Sequence, residues 1–287
     1  PSTGMPTRTQ QADILSCAYA SHGDTKHVLL FPEDPKECFE HAAAALDLAD
    51  RLQTPVFVMS DLDIGMNQRL CEPLQWDESR GFDRGKVMTA EELESGKEFG
   101  RYLDVDGDGI PYRTYPGTHP SKGSFFTRGT TKNAYAGYSE QGPDYLYNVH
   151  RLLKKFDTAK ALVPQPVIKK AKQATPFAAI YFGSTSPAMA EAIEVLQAEH
   201  THLDTLRLRA FPFPDEVAEF IAQHQTVFVV EQNRDAQIRS LLINEFGIDQ
   251  AKLVPILHYD GTPITARFIG RAISSAINAT NLATPQT

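Results

Sequence analysis

Chemistry-bearing side chains gather in a few short polar stretches. The opening segment Pro1-Ser2-Thr3-Gly4-Met5-Pro6-Thr7-Arg8-Thr9-Gln10-Gln11 carries four hydroxyls, two amides and an arginine ahead of the helical pattern QADILSCAYA. Hydroxyls and free backbone N–H groups at a helix entrance can hold a carboxylate or a phosphate. The same residues also make an ordinary N-terminal cap and turn. A second stretch, Asp104-Val105-Asp106-Gly107-Asp108-Gly109, sets carboxylates at alternate positions before a glycine, as in the first half of a calcium loop. Its second half departs from that pattern: Tyr115 stands where a bidentate Glu is needed, and Pro111 restrains the turn.

The same loop admits a second metal reading. Gly107-Asp108-Gly109 and Asn133 have roughly the spacing of the magnesium-diphosphate motif of thiamine enzymes, but the flanks RYLDVD and IPYRTYP lack the strand and helix that motif requires. A solvated acidic turn is the bland alternative. His22-Gly23-Asp24 and the His119 turn PGTHPSKG are glycine-flanked loops with no second His or carboxylate at metal or triad spacing. Arg151 to Lys172 holds seven basic residues against Asp157, which reads either as a patch for an acidic redox partner or polyphosphate, or as a solvated linker. Glu231-Gln232-Asn233 ends a strand at the edge where α/β folds bind ligands, or supplies an Asn cap for the next helix.

These side chains belong to a chain of 287 residues, 41% hydrophobic and 22% charged, long enough for about two globular domains. The charge of −8 argues against nucleic-acid binding through a global basic field. No apolar run approaches the ~18 residues of a membrane span, and no secretion signal opens the sequence, so a cytoplasmic protein is expected. Cys17, Cys38 and Cys71 are too few and scattered for a disulfide framework, a four-thiolate zinc site or an iron–sulfur cluster.

The expected fold class is α/β. Over 1–67, the strands HVLLF and TPVFVMS flank a helix that begins at Pro35, which makes half of a parallel sheet. Over 68–173 the chain is an irregular, aromatic-rich excursion that must pack on something. It carries two helix candidates, TAEELESG with a Thr89/Glu92 capping box and PDYLYNVHRLLKKFDTAKAL, and ends in the linker-like VPQPVIKKAKQATP. Over 174–287, four strands alternate with four helices, the signature of a compact parallel α/β domain.

In order along the chain, PSTGMPTRTQQAD, YASHGD with HVLLFP, PVFVMSDLDIGMN, FGRYLDVDGDGIPYRTYPGTHPSKGSFFTRG, and FPFPDEV with VFVVEQNRDAQI resemble the alpha subunit of 2-oxoacid:ferredoxin oxidoreductases, particularly the 2-oxoglutarate type. The resemblance implies an incomplete thiamine-pyrimidine-binding-type sheet followed by a transketolase C-terminal-like domain. It implies a role in the reversible oxidative decarboxylation of a 2-oxoacid to acyl-CoA and CO2, with electrons passing to ferredoxin. Thiamine diphosphate, its magnesium and the iron–sulfur cluster would be held mainly by a partner beta subunit, with coenzyme A as co-substrate. Matching the motif makes Thr7 the residue expected to hydrogen-bond the substrate carboxylate, with Ser2, Thr3 and Arg8 beside it and His22, Asp24 and His119 at the pocket rim. Asp104, Asp106 and Asp108 are left as ligands for a structural calcium. The resemblance also implies an N-terminal part of the same subunit upstream of Pro1, with a YPITP-like loop. Two rival readings are a non-catalytic scaffold subunit and the beta chain of a lipoamide-linked 2-oxoacid dehydrogenase, which shares the layout but not the DVDGDGIPYRT and PGTHP segments.

Overall fold

The computed structural model describes residues 8–283. The first part of the chain forms a short helix α1 (Ile14–Ala18), strand β1 (Val28–Leu30), the long helix α2 (Pro35–Leu52), strand β2 (Val56–Val58) and helix α3 (Leu62–Met66). Helix α2 starts where its sequence provides a stop and a cap. The Asp34 side chain accepts from the Glu37 N–H at 2.8 Å, Pro35 follows in the first turn, and the helix ends at Gln53 in a left-handed conformation. All three residues of β1 are fully buried, as expected of a strand covered on both faces.

The excursion contributes α4 (Ala90–Glu94), with the expected Thr89/Glu92 capping box formed, the long α5 (Gly142–Ala159) and β3 (Val167–Lys169). There follow β4 (Phe177–Phe182), α6 (Ser186–Ala198), β5 (Asp204–Leu208), β6 (Ala210–Phe211), α7 (Asp215–Ala222), β7 (Thr226–Glu231), α8 (Gln237–Phe246), β8 (Leu253–Leu257) and α9 (Ala266–Ala283).

Two mixed sheets result. The larger has strand order β3-β5-β4-β7-β8, with β5, β4, β7 and β8 parallel and β3 antiparallel at the edge. Side chains alternate faces along β4. Ala178, Ile180 and Phe182 join the layer of α7 and α8, while Ala179 and Tyr181 join that of α6 and α9. Helices therefore cover both faces, as right-handed crossovers require. The smaller sheet has order β2-β1-β6.

Two segments differ from the sequence expectation. VPQPVIKKAKQATP is no linker throughout, because Val167–Lys169 pairs with Arg207, Leu206 and Thr205 as the antiparallel edge strand. DTLRLRAF is not one strand. It divides after Leu208, and Ala210–Phe211 crosses to pair antiparallel with β1 in the other sheet. The half-sheet expected from 1–67 thus receives its third strand from the C-terminal part of the chain.

An ion-pair cluster holds that crossing. Glu37 on α2 meets Arg207 at 2.7 Å and Arg209 at 3.0 Å, and Arg207 also reaches Glu33 at 3.2 Å. Burial opposes charge on Glu37, but the hydrogen bond and charge of Arg207 outweigh it, assisted by the Glu33 N–H and Arg209, and hold the carboxyl at about 2.

Candidate functional site

The opening segment enters the fold at the C-terminal ends of β4 and β7. Gln11 is its anchor. The Gln11 N–H donates to the Gln232 carbonyl at 2.8 Å, its amide nitrogen donates to the Phe182 carbonyl at 3.3 Å, and its amide oxygen accepts from the Gln232 N–H at 3.1 Å. Asn233 Nδ2 donates to the Gln11 carbonyl, and Gln237 brackets the next turn by donating to Ala12 O at 2.6 Å and accepting from Leu15 N–H at 2.9 Å. Thr9 N–H donates to Gly261 O at 3.2 Å. Gly183, at φ +58°, leaves space for this contact, since a Cβ there would lie 3.1 Å from the Gln11 amide.

Polar groups of both sheets meet beneath the segment. Gln232 Nε2 donates to Ser184 Oγ at 2.9 Å and Thr185 Oγ1 at 3.1 Å, and Ser184 in turn donates to Asp61. The other oxygen of Asp61 caps α3 through the Ile64 N–H at 3.1 Å. A narrow cleft of about 30 Å3 opens here, lined by Gln10, Asp13, Ser60, Asp61, Phe182 and Gly183. The strand ends carry hydroxyls, amides and one carboxylate, and Gln11 is fastened to two of them.

Glu231, Gln232 and Asn233 are all buried and turned inward. At the start of α8 Asn233 accepts from the Gln237 N–H at 3.1 Å, and Glu231 takes the next two donors, Ile238 and Arg239 N–H, at 2.8 and 2.9 Å. Burial pushes the Glu231 carboxyl above its ordinary value against these hydrogen bonds. The cap position of α8 is Ala236, without a side-chain cap bond, so Asn233 serves the first helical N–H from outside that position, and the amides of this stretch bind the chain's own opening segment. The sequence pattern missed the contributions of Ser184 and Asp61, which lie 123 residues apart.

Ser2, Thr3 and Thr7 lie outside the described residues, and Arg8 is exposed just before the anchor. His22 and Asp24 sit on the exposed turn after α1, and Asp24 borders a cleft against α5. His119 belongs to a different cleft built from 114–125. Its Nδ1 accepts from Ser121 and Lys122 N–H at 3.1 and 2.9 Å, and its Nε2 meets Glu94, so it organises its own turn.

The metal reading of Asp104, Asp106 and Asp108 is corrected. Lys86 Nζ lies 2.7 Å from both Asp106 and Asp108 and donates to Ile110 O at 3.0 Å, so an ammonium occupies the place a cation would take. The Lys86 hydrogen bond holds the Asp106 carboxyl below its usual range. Asp104 accepts from Asp108 and Gly109 N–H at 3.1 and 2.9 Å. Asn133 Oδ1 accepts from Tyr135 and Gly137 N–H at 3.0 and 2.9 Å, a closed local turn. Among the described residues no group of three or more His, Cys, Asp or Glu is arranged to hold a metal ion.

This loop is a clasp on α5. Gly109, at φ +79°, approaches so closely that a Cβ would lie 2.3 Å from Lys155 N and 2.5 Å from Arg151 O. Arg151 donates to Gly109 O at 3.0 Å, Thr158 to Asp108 O at 2.8 Å, and the Tyr147 hydroxyl accepts from Asp104 N–H at 2.8 Å. The reading of Arg151–Lys172 as a solvated basic linker fails for the same reason, since Arg151 and Lys155 are both buried.

The architecture defines a class: two α/β units whose strand ends share polar groups under one entering segment. It is the fold of the 2-oxoglutarate:ferredoxin oxidoreductase from Magnetococcus marinus, solved with 2-oxoglutarate, coenzyme A and succinyl-CoA bound. The match has a TM-score of 0.82 and 22% identity, and covers 96% of this chain and 47% of that one. Residues 1–142 match the family model described as pyruvate flavodoxin/ferredoxin oxidoreductase, thiamine diP-binding.

Curated relatives agree. The 2-oxoacid:ferredoxin oxidoreductase 2, subunit alpha, of Aeropyrum pernix is 29% identical over 84% of this chain and 37% of its own length. The 2-oxoglutarate synthase subunit KorA of Methanothermobacter thermautotrophicus is 25% identical over 89% of this chain and 65% of its own. Together the family model and the relatives support the 2-oxoacid:ferredoxin oxidoreductase alpha-subunit family for this chain, which spans about two fifths of the Aeropyrum subunit and two thirds of KorA.

Proposed function

We propose that this chain is the alpha-subunit portion of a thiamine diphosphate-dependent 2-oxoacid:ferredoxin oxidoreductase. The complex would oxidatively decarboxylate a 2-oxoacid, with 2-oxoglutarate preferred, to acyl-CoA and CO2 and pass electrons to ferredoxin. The observation that carries this reading is the anchored opening segment within the matched region 1–142. Gln11, Gln232 and Gln237 tie down the chain where it leaves the segment that carries the hydroxyls and Arg8 in sequence. In this reading Thr7 hydrogen-bonds the substrate carboxylate, Ser2, Thr3 and Arg8 line the pocket, and the His22–Asp24 turn and His119 stand farther out at its rim.

The described residues do not fit the magnesium-diphosphate end of the coenzyme. Asp108 is engaged by Lys86 and Asn133 by its own turn. We therefore assign the coenzyme's metal and diphosphate, together with the iron–sulfur cluster, to a partner beta subunit. A cytoplasmic working site is part of the same proposal; separately, no helix among the described residues is long and apolar enough to cross a membrane.

The test is copurification of the chain's complex from its native source, followed by assay of dye reduction that requires both 2-oxoglutarate and coenzyme A. A complex containing the chain but inactive with every 2-oxoacid would overturn the reading. Within the active complex, Thr7→Val should lower kcat/KM for the 2-oxoacid by ~10- to 100-fold, the worth of a hydrogen bond to a charged group, with thiamine affinity unchanged. Unaltered kinetics would remove Thr7 from the site.

A further inference from the structure

A cleft of about 260 Å3 lies between the 19–26 turn and α5. Tyr19, Leu152, Leu153 and Phe156 form its apolar wall, Thr54 and Lys155 also border it, and Asp24 is exposed at its mouth. Lys26 lines it too, but its charge is already used, with Nζ 2.8 and 2.7 Å from the two oxygens of Glu245.

Lys155, unlike Lys26, has its ammonium uncompensated at the cleft. It is 8% exposed, its Nζ donates to the Gln53 carbonyl at a long 3.4 Å, and among the described residues no carboxylate lies within ion-pair distance of it. Burial pulls its pKa down to about 8, and the positive charges of Arg151 and Arg101 push the same way. A buried ammonium with one weak hydrogen bond is costly unless something supplies the missing counter-charge.

We propose that this cleft binds an amphipathic monocarboxylate, with its head on Lys155 and its apolar body against Leu152, Leu153, Phe156 and Tyr19. One unpaired ammonium matches one negative charge, whereas a phosphate dianion would meet no second uncompensated cation among the lining residues, since Lys26 is neutralised by Glu245. The apolar wall supplies the remaining affinity through burial of the hydrocarbon portion. The site stands independently of the proposed enzymatic role and needs no partner subunit.

Octanoate is the probe, titrated calorimetrically into the purified full chain at pH 7, with octanamide as the uncharged control. The expected result is one-to-one binding of octanoate, at least tenfold weaker binding of octanamide, and at least tenfold weaker octanoate binding to Lys155→Met. Affinity of the native chain should fall about tenfold between pH 7 and pH 9, because the binding-competent protonated fraction of a group near 8 shrinks by that factor. The other charged groups around the cleft are Asp24, the Lys26–Glu245 pair, Arg101 and Arg151. Burial raises the Tyr19 phenol, away from this window. Absence of octanoate binding, equal binding of octanamide, or affinity indifferent to pH each overturns the proposal. The latter two measurements need only the native chain, so they decide the matter even if Lys155→Met does not fold.

Discussion

The opening segment and the loop at 104–110 are alike on paper, both made of glycine and short polar side chains next to a helix, yet they fold into opposite kinds of structure. The acidic loop turns its polarity on itself and on α5: Asp104 binds its own backbone, Asp106 and Asp108 share Lys86, and Gly109 presses into the helix backbone. At Gln11 the opening segment uses backbone and side-chain amide to fasten itself to strand ends far along the sequence. A polar loop becomes a clasp when its donors and acceptors close locally. It becomes a bridge between distant parts of the chain when its donors and acceptors are met by strand ends far along the sequence.

That contrast can be broken in several ways, and the largest effect is expected at the joint. Glu37→Gln leaves Arg207, buried with its charge, short of a partner, and should cost about 3 kcal/mol in urea unfolding. The native chain should also be acid-sensitive at this residue. A carboxyl held at about 2 in the fold, below its ordinary 4.5, contributes stability above pH 4.5 that is lost as pH falls through about 2. The Glu37→Gln protein should lose less stability over that interval. Equal acid sensitivity in the two would mean that the crossing of β5 into β6 is held by packing alone.

Next comes the clasp. Gly109→Ala should cost about 2–3 kcal/mol, since a Cβ would collide with the backbone of α5 at positive φ. Gly107→Ala, also at positive φ but with nothing within 4 Å, should cost about 1 kcal/mol. Similar losses at both positions would mean that the loop is strained but not clamped. Gln11→Ala should cost about 1–2 kcal/mol, the worth of buried amide hydrogen bonds left unmade at Gln232 and Phe182. Within an active complex it should raise the KM for the 2-oxoacid more than it changes kcat. The smallest effect is none: the melting temperature should be indifferent to calcium and to chelator, because Lys86 already supplies the positive charge in the acidic loop. A rise on adding calcium would reverse the reading of that loop.

Some of the site was legible in sequence. The capping box at Thr89 follows from local spacing and forms, whereas Asn233 meets the first N–H of α8 without being its cap residue. The alternating strands and helices after Phe177 follow from periodicity. The docking of Gln11 on Gln232 was not legible, because the partners are 221 residues apart and a glutamine carries no pattern that names its acceptor. Nor was the burial of Lys155 within a run of basic residues, since charge runs ordinarily face solvent.

By itself the sequence determined what depends on neighbours a few residues apart: the α/β class, most helix starts, and the family resemblance carried by ordered motifs. Tertiary structure alone decided which polar groups face one another. It sent Ala210–Phe211 to the other sheet, gave the acidic loop a lysine in place of a metal, and left Lys155 beside an open cleft. The physical reason is that a hydrogen bond or ion pair is fixed by distance in space, and the identity of a polar residue says only that it needs a partner, not where along the chain that partner lies.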